Sequence, residues 1–266
     1  MATGDSSLAA VTLAGLRLET VERRPELRDR MEALVQRVWP AFVTESHAPK
    51  SDTMPTDWPG VYRRWPQFQY ALLDPEDDEL VAAGNFLALA WNGDAEELPD
   101  TGWTWAMFQA KLDHEAGKAP TVACALGITV EPARQGQNIS RLAVTAMRDL
   151  ARAAGFSRLI APVRPVWKPR YPITPMAEFI RWTTAEGLPL DPWMRVHARL
   201  GARVVKPCER SMLLAGSVAE WERWLDLPLP ASGDYVGPGL LAPLHVNRQA
   251  DECIYVEPNV WMEHHL

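Results

Sequence analysis

The sequence predicts an α+β domain, because strand and helix patterns alternate along most of its 266 residues. Residues 121–130 alternate large with small side chains, as a central strand does, and a short polar loop follows them. Residues 139–154 then place apolar side chains along one helical face, and Gly155 suits a left-handed cap. Upstream, residues 68–73 and 80–91 have strand patterns separated by an acidic turn, which predicts an antiparallel hairpin.

Before the hairpin, the sequence predicts a tail, one strand and one helix. Residues 1–15 form a tail of small residues, and residues 16–21 alternate apolar with polar side chains as a strand does. Pro25 opens an amphipathic helix that ends before Pro40. Residues 40–67 contain several prolines and are expected to form a loop-rich region with a short helix.

After the hairpin, residues 92–120 form an insertion with a helix over residues 103–115. Residues 159–163 are a short apolar strand that follows the central helix. Two more helices are predicted over residues 174–187 and 191–201, because each begins with a capping residue before proline and ends at glycine.

The C-terminal part is predicted to close the sheet and then extend over it. Residues 203–205 and 211–214 have the pattern of two closing strands, and Ser217 with Glu220 forms a capping box for a short helix. We divide the chain into a tail (1–15), one domain (16–215) and a C-terminal extension packed on the core (216–266).

Composition excludes several classes of partner. The net charge of −7 argues against nucleic acid binding. Cys124, Cys208 and Cys253 lack metal-ligand spacing, and so few cysteines suit a reducing compartment. The sequence has no signal-peptide pattern and no apolar run of membrane-spanning length. We expect a cytoplasmic protein that binds no metal, no nucleic acid and no membrane.

The loop before the central helix is suited to binding an anion. Residues 135–138 read Gln-Gly-Gln-Asn and bring their backbone N–H groups to the helix start. A helix start carries unpaired N–H donors and the positive end of the helix dipole. A dinucleotide fingerprint fits less well, because the G-x-G-x-x-G pattern is absent.

This loop resembles the pyrophosphate-binding motif of the GNAT superfamily of acyl-CoA N-acyltransferases. The family pattern is Gln/Arg-x-x-Gly-x-Gly/Ala after Val-x-Pro, and residues 130–132 supply Val-x-Pro here. Gln135 matches the first motif position, and Gly136 is also often glycine in the family. Asn138 and Ser140 replace the family's small residues, although asparagine tolerates the left-handed conformation better than most residues.

The resemblance covers residues 16–215 and implies three layers, with a mixed, mostly antiparallel sheet flanked by helices. It implies an acyltransferase that moves an acyl group, acetyl from acetyl-CoA in the simplest case, to an amine by direct attack. A backbone N–H near Ile128 or Thr129 would polarise the thioester carbonyl. The implied cofactor-binding residues are Ile128, Thr129, Val130, Gln135, Gly136, Gln137, Asn138, Ile139 and Ser140.

The resemblance also indicates a proton donor. The family usually places a tyrosine four residues before the glycine that ends the helix after its fifth strand; that glycine corresponds to Gly201, and His197 holds the position. His197 shares a helical face with Trp193 and Leu200, so we expect it to point inward. An imidazole can donate a proton near neutral pH. We predict that His197 is catalytic; the alternative is a buried, hydrogen-bonded structural histidine.

The sequence does not choose a general base. No carboxylate lies within residues 121–130. Glu131 follows them directly, and Asp113, His114 and Glu115 lie in the insertion, where a solvated helix face also explains them.

A basic loop follows the strand at residues 159–163. Arg164, Lys168 and Arg170 either grip a carboxylate of the acceptor or a cofactor phosphate, or are ordinary surface charge. The chain also has twelve tryptophans, several of them between Trp39 and Trp105. These line an acceptor pocket or supply core packing, and we favour core packing.

The most direct reading is a transfer to a small-molecule amine, and a homodimer is left open. Two alternatives remain. One is an acyltransferase with a protein or carrier-bound acceptor, which would need an open groove. The other is a degenerate GNAT-like domain that binds CoA, or nothing, and serves in interactions.

Overall fold

The computed structural model describes residues 11–49, 54 and 56–266. Its strands are β1 (Val11–Leu13), β2 (Leu16–Thr20), β3 (Gln69–Leu73), β4 (Leu80–Leu89), β5 (Val122–Val130), β6 (Arg158–Val163), β7 (Arg203–Gly216), β8 (Gly233–Tyr235), β9 (Leu244–Asn247) and β10 (Glu252–His265). Its α-helices are α1 (Leu27–Val38), α2 (Ala41–Thr44), α3 (Trp58–Arg64), α4 (Gly102–Glu115), α5 (Ile139–Ala153), α6 (Met176–Phe179), α7 (Pro192–Arg199) and α8 (Val218–Leu225).

These strands form one sheet, in the order β1-β2-β3-β4-β5-β6-β10-β9-β8, with β7 along the other edge of β10. Within the described ranges only β5 and β6 pair in parallel, and the other pairs are antiparallel. The mixed, mostly antiparallel sheet that the sequence analysis expected is therefore confirmed. No described helix is long and apolar enough to cross a membrane.

Helices cover both faces of β3 and β4. Alternate residues of β3 point to opposite faces, so Tyr70 and Leu72 pack in the cluster that contains α5, and Ala71 and Leu73 pack against α1. All five residues of β3 are buried, as a strand between two helical layers requires. The Tyr70 hydroxyl also donates to the Ala143 carbonyl of α5, 2.5 Å away, which fixes this helix on the sheet.

β5 and β6 separate soon after they meet. Their pairing is confined to Ala123 with Leu159 and Cys124 with Ile160, whereas β6 pairs with β10 along all of its residues. The register between β4 and β5 also shifts, because Asn85 pairs with Gly127 and the next residue of β4 pairs with Ala125. The extra residue is a β-bulge, which bends a strand and increases its twist. A wedge-shaped gap therefore opens between β5 and β6.

The C-terminal half differs from the prediction. The two predicted closing strands are one continuous strand, β7, and β10 pairs with β6 on one side and β7 on the other. The segment predicted to pack on the core as an extension thus supplies a central strand of the sheet. Local patterns cannot show this arrangement, because β10 and β6 lie about a hundred residues apart in the chain.

Two smaller predictions also need correction. The helix predicted over residues 174–187 is limited to α6, and the chain then turns back through a bridge between Thr183 and Pro189. Two successive β-branched residues, Thr183 and Thr184, disfavour a helix in the second half of the predicted range. The predicted tail is wrong for residues 11–15, where β1 pairs with β2 through a tight turn; residues 1–10 lie outside the described range.

Candidate active site

A cavity of about 950 Å³ occupies the gap between β5 and β6. One end is bordered by the loop that precedes α5, and its walls come from β5, β6 and α7. The other end extends between α1, α2, α4 and β7. The divergence of two strands has therefore produced a single cavity that reaches from a helix start to the opposite side of the sheet.

Two residues of the loop at the first end have a left-handed backbone conformation. Gly136 has φ +78° and Asn138 has φ +64°. No side chain caps α5, and its first backbone bond runs from the Leu142 N–H to the Asn138 carbonyl (3.2 Å). The N–H groups of residues 139–141 precede that bond, so the helix itself offers them no acceptor. These donors fit a phosphate group, which a helix start binds through N–H groups and its dipole.

Gly136 leaves open space where a side chain would stand. A Cβ built at this position would meet no other atom within 4 Å. A ligand can therefore approach the backbone of the loop closely, which glycine permits and a larger side chain would prevent. Asn138 adopts the left-handed conformation that the sequence analysis expected asparagine to tolerate in place of the family's glycine.

The amides of β5 alternate between β4 and the gap. The Glu131 N–H donates to the Val81 carbonyl beside β4, at 2.9 Å. Because backbone N–H groups alternate in direction along a strand, the amide of Thr129 also faces β4, and those of Ile128 and Val130 face the gap. Of the two residues proposed to polarise a thioester, Ile128 is the better placed.

Most of the predicted cofactor residues lie together. Ile128, Thr129, Val130, Gln135, Gly136, Asn138, Ile139 and Ser140 line the cavity, whereas Gln137 does not. The last strand and β7 contribute Asn259 and Met212 to the lining, which the sequence analysis missed. Both come from the C-terminal half, where no local signal indicated a contact with this site.

His197 lies on the inner face of α7 and lines the cavity. Asp191 fixes this helix start, since its carboxylate accepts hydrogen bonds from the backbone N–H groups of Trp193 and Met194. His197 is buried, with 3% of its surface exposed, and its ring stands at 77° to the Trp193 ring with the ring centres 4.5 Å apart. Its Nδ1 is 2.9 Å from Nε2 of His264 in β10. No pattern in the sequence indicated this second imidazole.

Burial determines the charge of this histidine pair. Burial, and then the neighbouring His264, lower the pKa of His197 to about 3. Burial, and then Arg148, lower the pKa of His264 to about 4. Both rings are therefore neutral near pH 7, and His197 holds no spare proton in this state. A negative charge that develops beside the ring would raise the pKa of His197, because it favours the protonated form.

The first residue of the basic loop, Arg164, is held in place by partners within the protein. Arg164 lines the cavity, but its guanidinium donates twice to Glu257 (2.9 and 3.0 Å) and once to the Gly239 carbonyl (2.7 Å). Although burial opposes it, the Glu257 carboxylate raises the pKa of Arg164. The positive charge at this wall is therefore already compensated.

Lys168 and Arg170 do not reach the cavity. Lys168 is 1% exposed, and its ammonium donates to the carbonyls of Tyr171 (2.8 Å) and Leu241 (2.5 Å). Burial lowers its pKa to about 8. Arg170 lies over the Trp167 ring at 4.7 Å. Lys168 therefore stabilises the packing of the loop. Of the three residues predicted to bind substrate, only Arg164 lines the cavity.

No family model matches the sequence. A curated relative, the arginine N-acetyltransferase avaD of Aspergillus versicolor, is 28% identical in an alignment of 274 positions that covers 94% of each protein. Among solved structures, the GphF GNAT-like decarboxylase in complex with isobutyryl-CoA has a TM-score of 0.56 and 16% identity, over 94% of this chain and 98% of that one. The loading GNATL domain of CurA from Lyngbya majuscula has a TM-score of 0.53 and 21% identity, over 94% and 96%.

The chain has a GNAT-like fold. The similarity to avaD extends over nearly the whole of both proteins, and the solved structures share the sheet with its flanking helices. The similarity to known proteins is therefore not limited to the motif-like loop at residues 135–140 but extends along nearly the whole chain.

The carboxylates left open as a general base lie elsewhere in this GNAT fold. Glu131 pairs with Arg37 outside the cavity. Asp113 is buried and bonded to the Ala90 amide, Gln109 and Lys118, so it holds α4 to the end of β4. Within the described ranges, no aspartate or glutamate lines the cavity. The titratable side chains found there are His47, Arg164 and His197.

Three tryptophans line the end of the cavity opposite the loop, where the sequence analysis favoured core packing. The Trp39 indole donates to the Thr129 hydroxyl (2.8 Å), and the Trp103 indole donates to the carbonyl of Leu126 at the bulge (3.0 Å). Trp58 stacks on Trp103, with ring centres 6.1 Å apart. Trp58 and Trp103 pack against the core while also facing the cavity. In the sequence, only the large number of tryptophans was notable, and that number does not distinguish core residues from residues that line a cavity.

Proposed function

We propose that this chain is an acyl-CoA-dependent N-acyltransferase that transfers an acyl group, in the simplest case acetyl, to the amine of a small molecule. The observation that carries the proposal is the single cavity between β5 and β6. It offers unpaired N–H donors at one end and space for an acceptor at the other. The names of the relatives support the class: avaD is an arginine N-acetyltransferase, and GphF was solved with isobutyryl-CoA.

Each part of the cavity has a task in this reaction. The loop at residues 135–138 and the start of α5 bind the pyrophosphate of the acyl-CoA. The Ile128 N–H, directed into the gap, polarises the thioester carbonyl as an oxyanion-hole donor does. The walls of β5 and β6 hold the thioester next to the acceptor, so that attack becomes effectively unimolecular.

His197 is the candidate for moving the proton. The attacking amine must lose a proton, and the departing thiolate must gain one. Because no carboxylate lines the cavity in the described part of the chain, we assign both transfers to one imidazole. The neutral ring accepts the amine proton, becomes an imidazolium beside the developing negative charge, and returns the proton to the sulfur. No net proton is gained or lost.

We also propose that the protein is cytoplasmic and that its acceptor is a small molecule. Cys124, Cys208 and Cys253 are free and buried, which suits the reducing cytoplasm. The acceptor end of the cavity is walled by three indoles and reached between helices, and this supports a small molecule over a protein side chain.

Release of free CoA thiol from acetyl-CoA tests the proposal. The full-length protein is assayed with a panel of small amines, with mass spectrometry of the N-acylated product. We expect amine-dependent release and a product heavier by one acetyl group. Binding of acetyl-CoA without turnover of any amine would leave the domain as a CoA-binding module, and the absence of both would reject the proposal.

Substitutions at residue 197 test the proton transfer separately. We expect His197→Ala to lower kcat by roughly a hundredfold, the usual scale for general acid–base catalysis, with CoA affinity nearly unchanged. His197→Tyr and His197→Phe are the matched pair, since only tyrosine retains a hydroxyl. Equal rates for these two variants, or near-normal turnover of a less stable His197→Ala protein, would make His197 structural.

A further inference from the structure

We infer that the acceptor is an aryl- or alkylamine with no second charged group, and that a guanidinium-bearing amine such as arginine is a poor substrate. The inference rests on the proposed function and concerns only the end of the cavity that receives the amine. It sets this chain apart from avaD, whose name gives arginine as its substrate.

The acceptor end is built mainly from apolar side chains. Trp39, Trp58 and Trp103 line it, together with Val35 and Val43 from the first two helices and Met212 from β7. The indole N–H groups of Trp39 and Trp103 are already bonded to Thr129 and Leu126. These two rings therefore present carbon surface to a ligand, and their internal bonds hold them in place.

Two of the polar side chains near this end are engaged within the protein. The Asn85 amide donates to the Tyr62 hydroxyl (3.1 Å) and to the Gln69 side chain (2.9 Å). Arg164 is held by Glu257 and the Gly239 carbonyl. His47 is exposed, and the lining also includes uncharged polar side chains, namely Gln36, Thr44, Ser46, Thr56 and Thr104. Within the described ranges, no aspartate or glutamate faces the cavity to pair with a second positive charge on the acceptor.

Desolvation decides between the two kinds of acceptor. A guanidinium that enters this end loses its water, and none of the described residues there supplies a carboxylate to pair with it. Contact with an indole face offsets only part of that loss. An aryl group instead gains by burying apolar surface. The apolar acceptor is favoured, and the stacked indoles suit a flat ring in particular.

A matched pair of amines tests the inference. 2-Phenylethylamine and agmatine both carry a primary amine on a short chain, but only agmatine carries a guanidinium. At fixed acetyl-CoA we expect kcat/KM for 2-phenylethylamine to exceed those for agmatine and arginine by at least tenfold. Comparable or higher values for agmatine or arginine would overturn the inference while leaving the proposed acyltransferase intact.

A charge placed in the wall provides the second test. Val43 lines the acceptor end, and Asp and Asn at this position have nearly the same shape. We expect Val43→Asp to shift the ratio of kcat/KM values at least tenfold towards agmatine relative to Val43→Asn. An equal ratio for the two variants would show that this wall does not contact the acceptor and would overturn the inference. If neither amine releases CoA and acetyl-CoA does not bind by calorimetry, the proposed function itself fails.

Discussion

Replacing His264 by glutamine should make the fold less sensitive to acid. His264 and His197 are buried against each other, and burial is the main cause of their low pKa values of about 4 and about 3. In the unfolded chain both imidazoles titrate near 6.5. Below that pH the two imidazoles bind protons in the unfolded chain but remain unprotonated in the folded protein. The stability associated with the neutral pair is therefore fully present above pH 6.5 and is lost as the pH falls.

The size of the effect follows from linkage between protonation and unfolding. Each buried imidazole should lower the free energy of unfolding by on the order of 2 kcal/mol between pH 7.5 and pH 5. The pair in the wild type accounts for about twice that loss, and His264→Gln removes about half of it. A glutamine amide can still bond Nδ1 of His197, so we expect the variant to retain most of its stability at pH 7.5.

Urea unfolding, followed by tryptophan fluorescence at pH 7.5 and pH 5, measures this difference. His245→Gln is the matched control, because His245 lies on the surface with 65% of its side chain exposed. We expect the control to lose as much stability on acidification as the wild type, and His264→Gln to lose roughly 2 kcal/mol less. An equal loss in all three proteins would refute the conclusion that the pair is neutral because it is buried.

Two further predictions concern the loops. Gly136→Asp should weaken CoA binding at least tenfold in calorimetry, because it fills the open space above the loop and adds a negative charge; equal affinities would mean that the loop does not hold the pyrophosphate. Lys168→Met should lower the melting temperature by several degrees, because the carbonyls of Tyr171 and Leu241, the second of them in a buried bond, lose their donor. Arg170→Ala, which removes only a contact with Trp167, is its control, and a larger loss in the control would contradict these roles.

Local patterns were sufficient where the structure is made by neighbours in sequence. The face of α5 follows from its periodicity, and Asn138 adopts the left-handed conformation that asparagine tolerates better than most residues. The helix start at Asp191 likewise follows from a capping residue before proline. Each of these features depends on residues that are close together in the sequence, so local sequence patterns can predict it.

Long-range pairing and side-chain direction were not predictable in this way. The position of β10 depends on the edges of β6 and β7, which no local pattern describes. Lys168 had the same sequence signal as any loop lysine, and only the folded loop surrounds it with carbonyls. Trp39 and Trp103 could equally have been core residues, because indoles serve both purposes and their hydrogen-bond partners lie on β5.

The last strand explains why the site cannot be separated from the C-terminal segment. Within β10, Glu257 holds Arg164 at the cavity wall, and His264 contacts the ring of His197. β10 also occupies the space between β6 and β7, whose buried backbone groups would otherwise lack partners. The strand thus closes the sheet, neutralises a charge and positions an imidazole. A sequence division at residue 215 would assign all three tasks to an accessory segment, although the wall of the cavity depends on them.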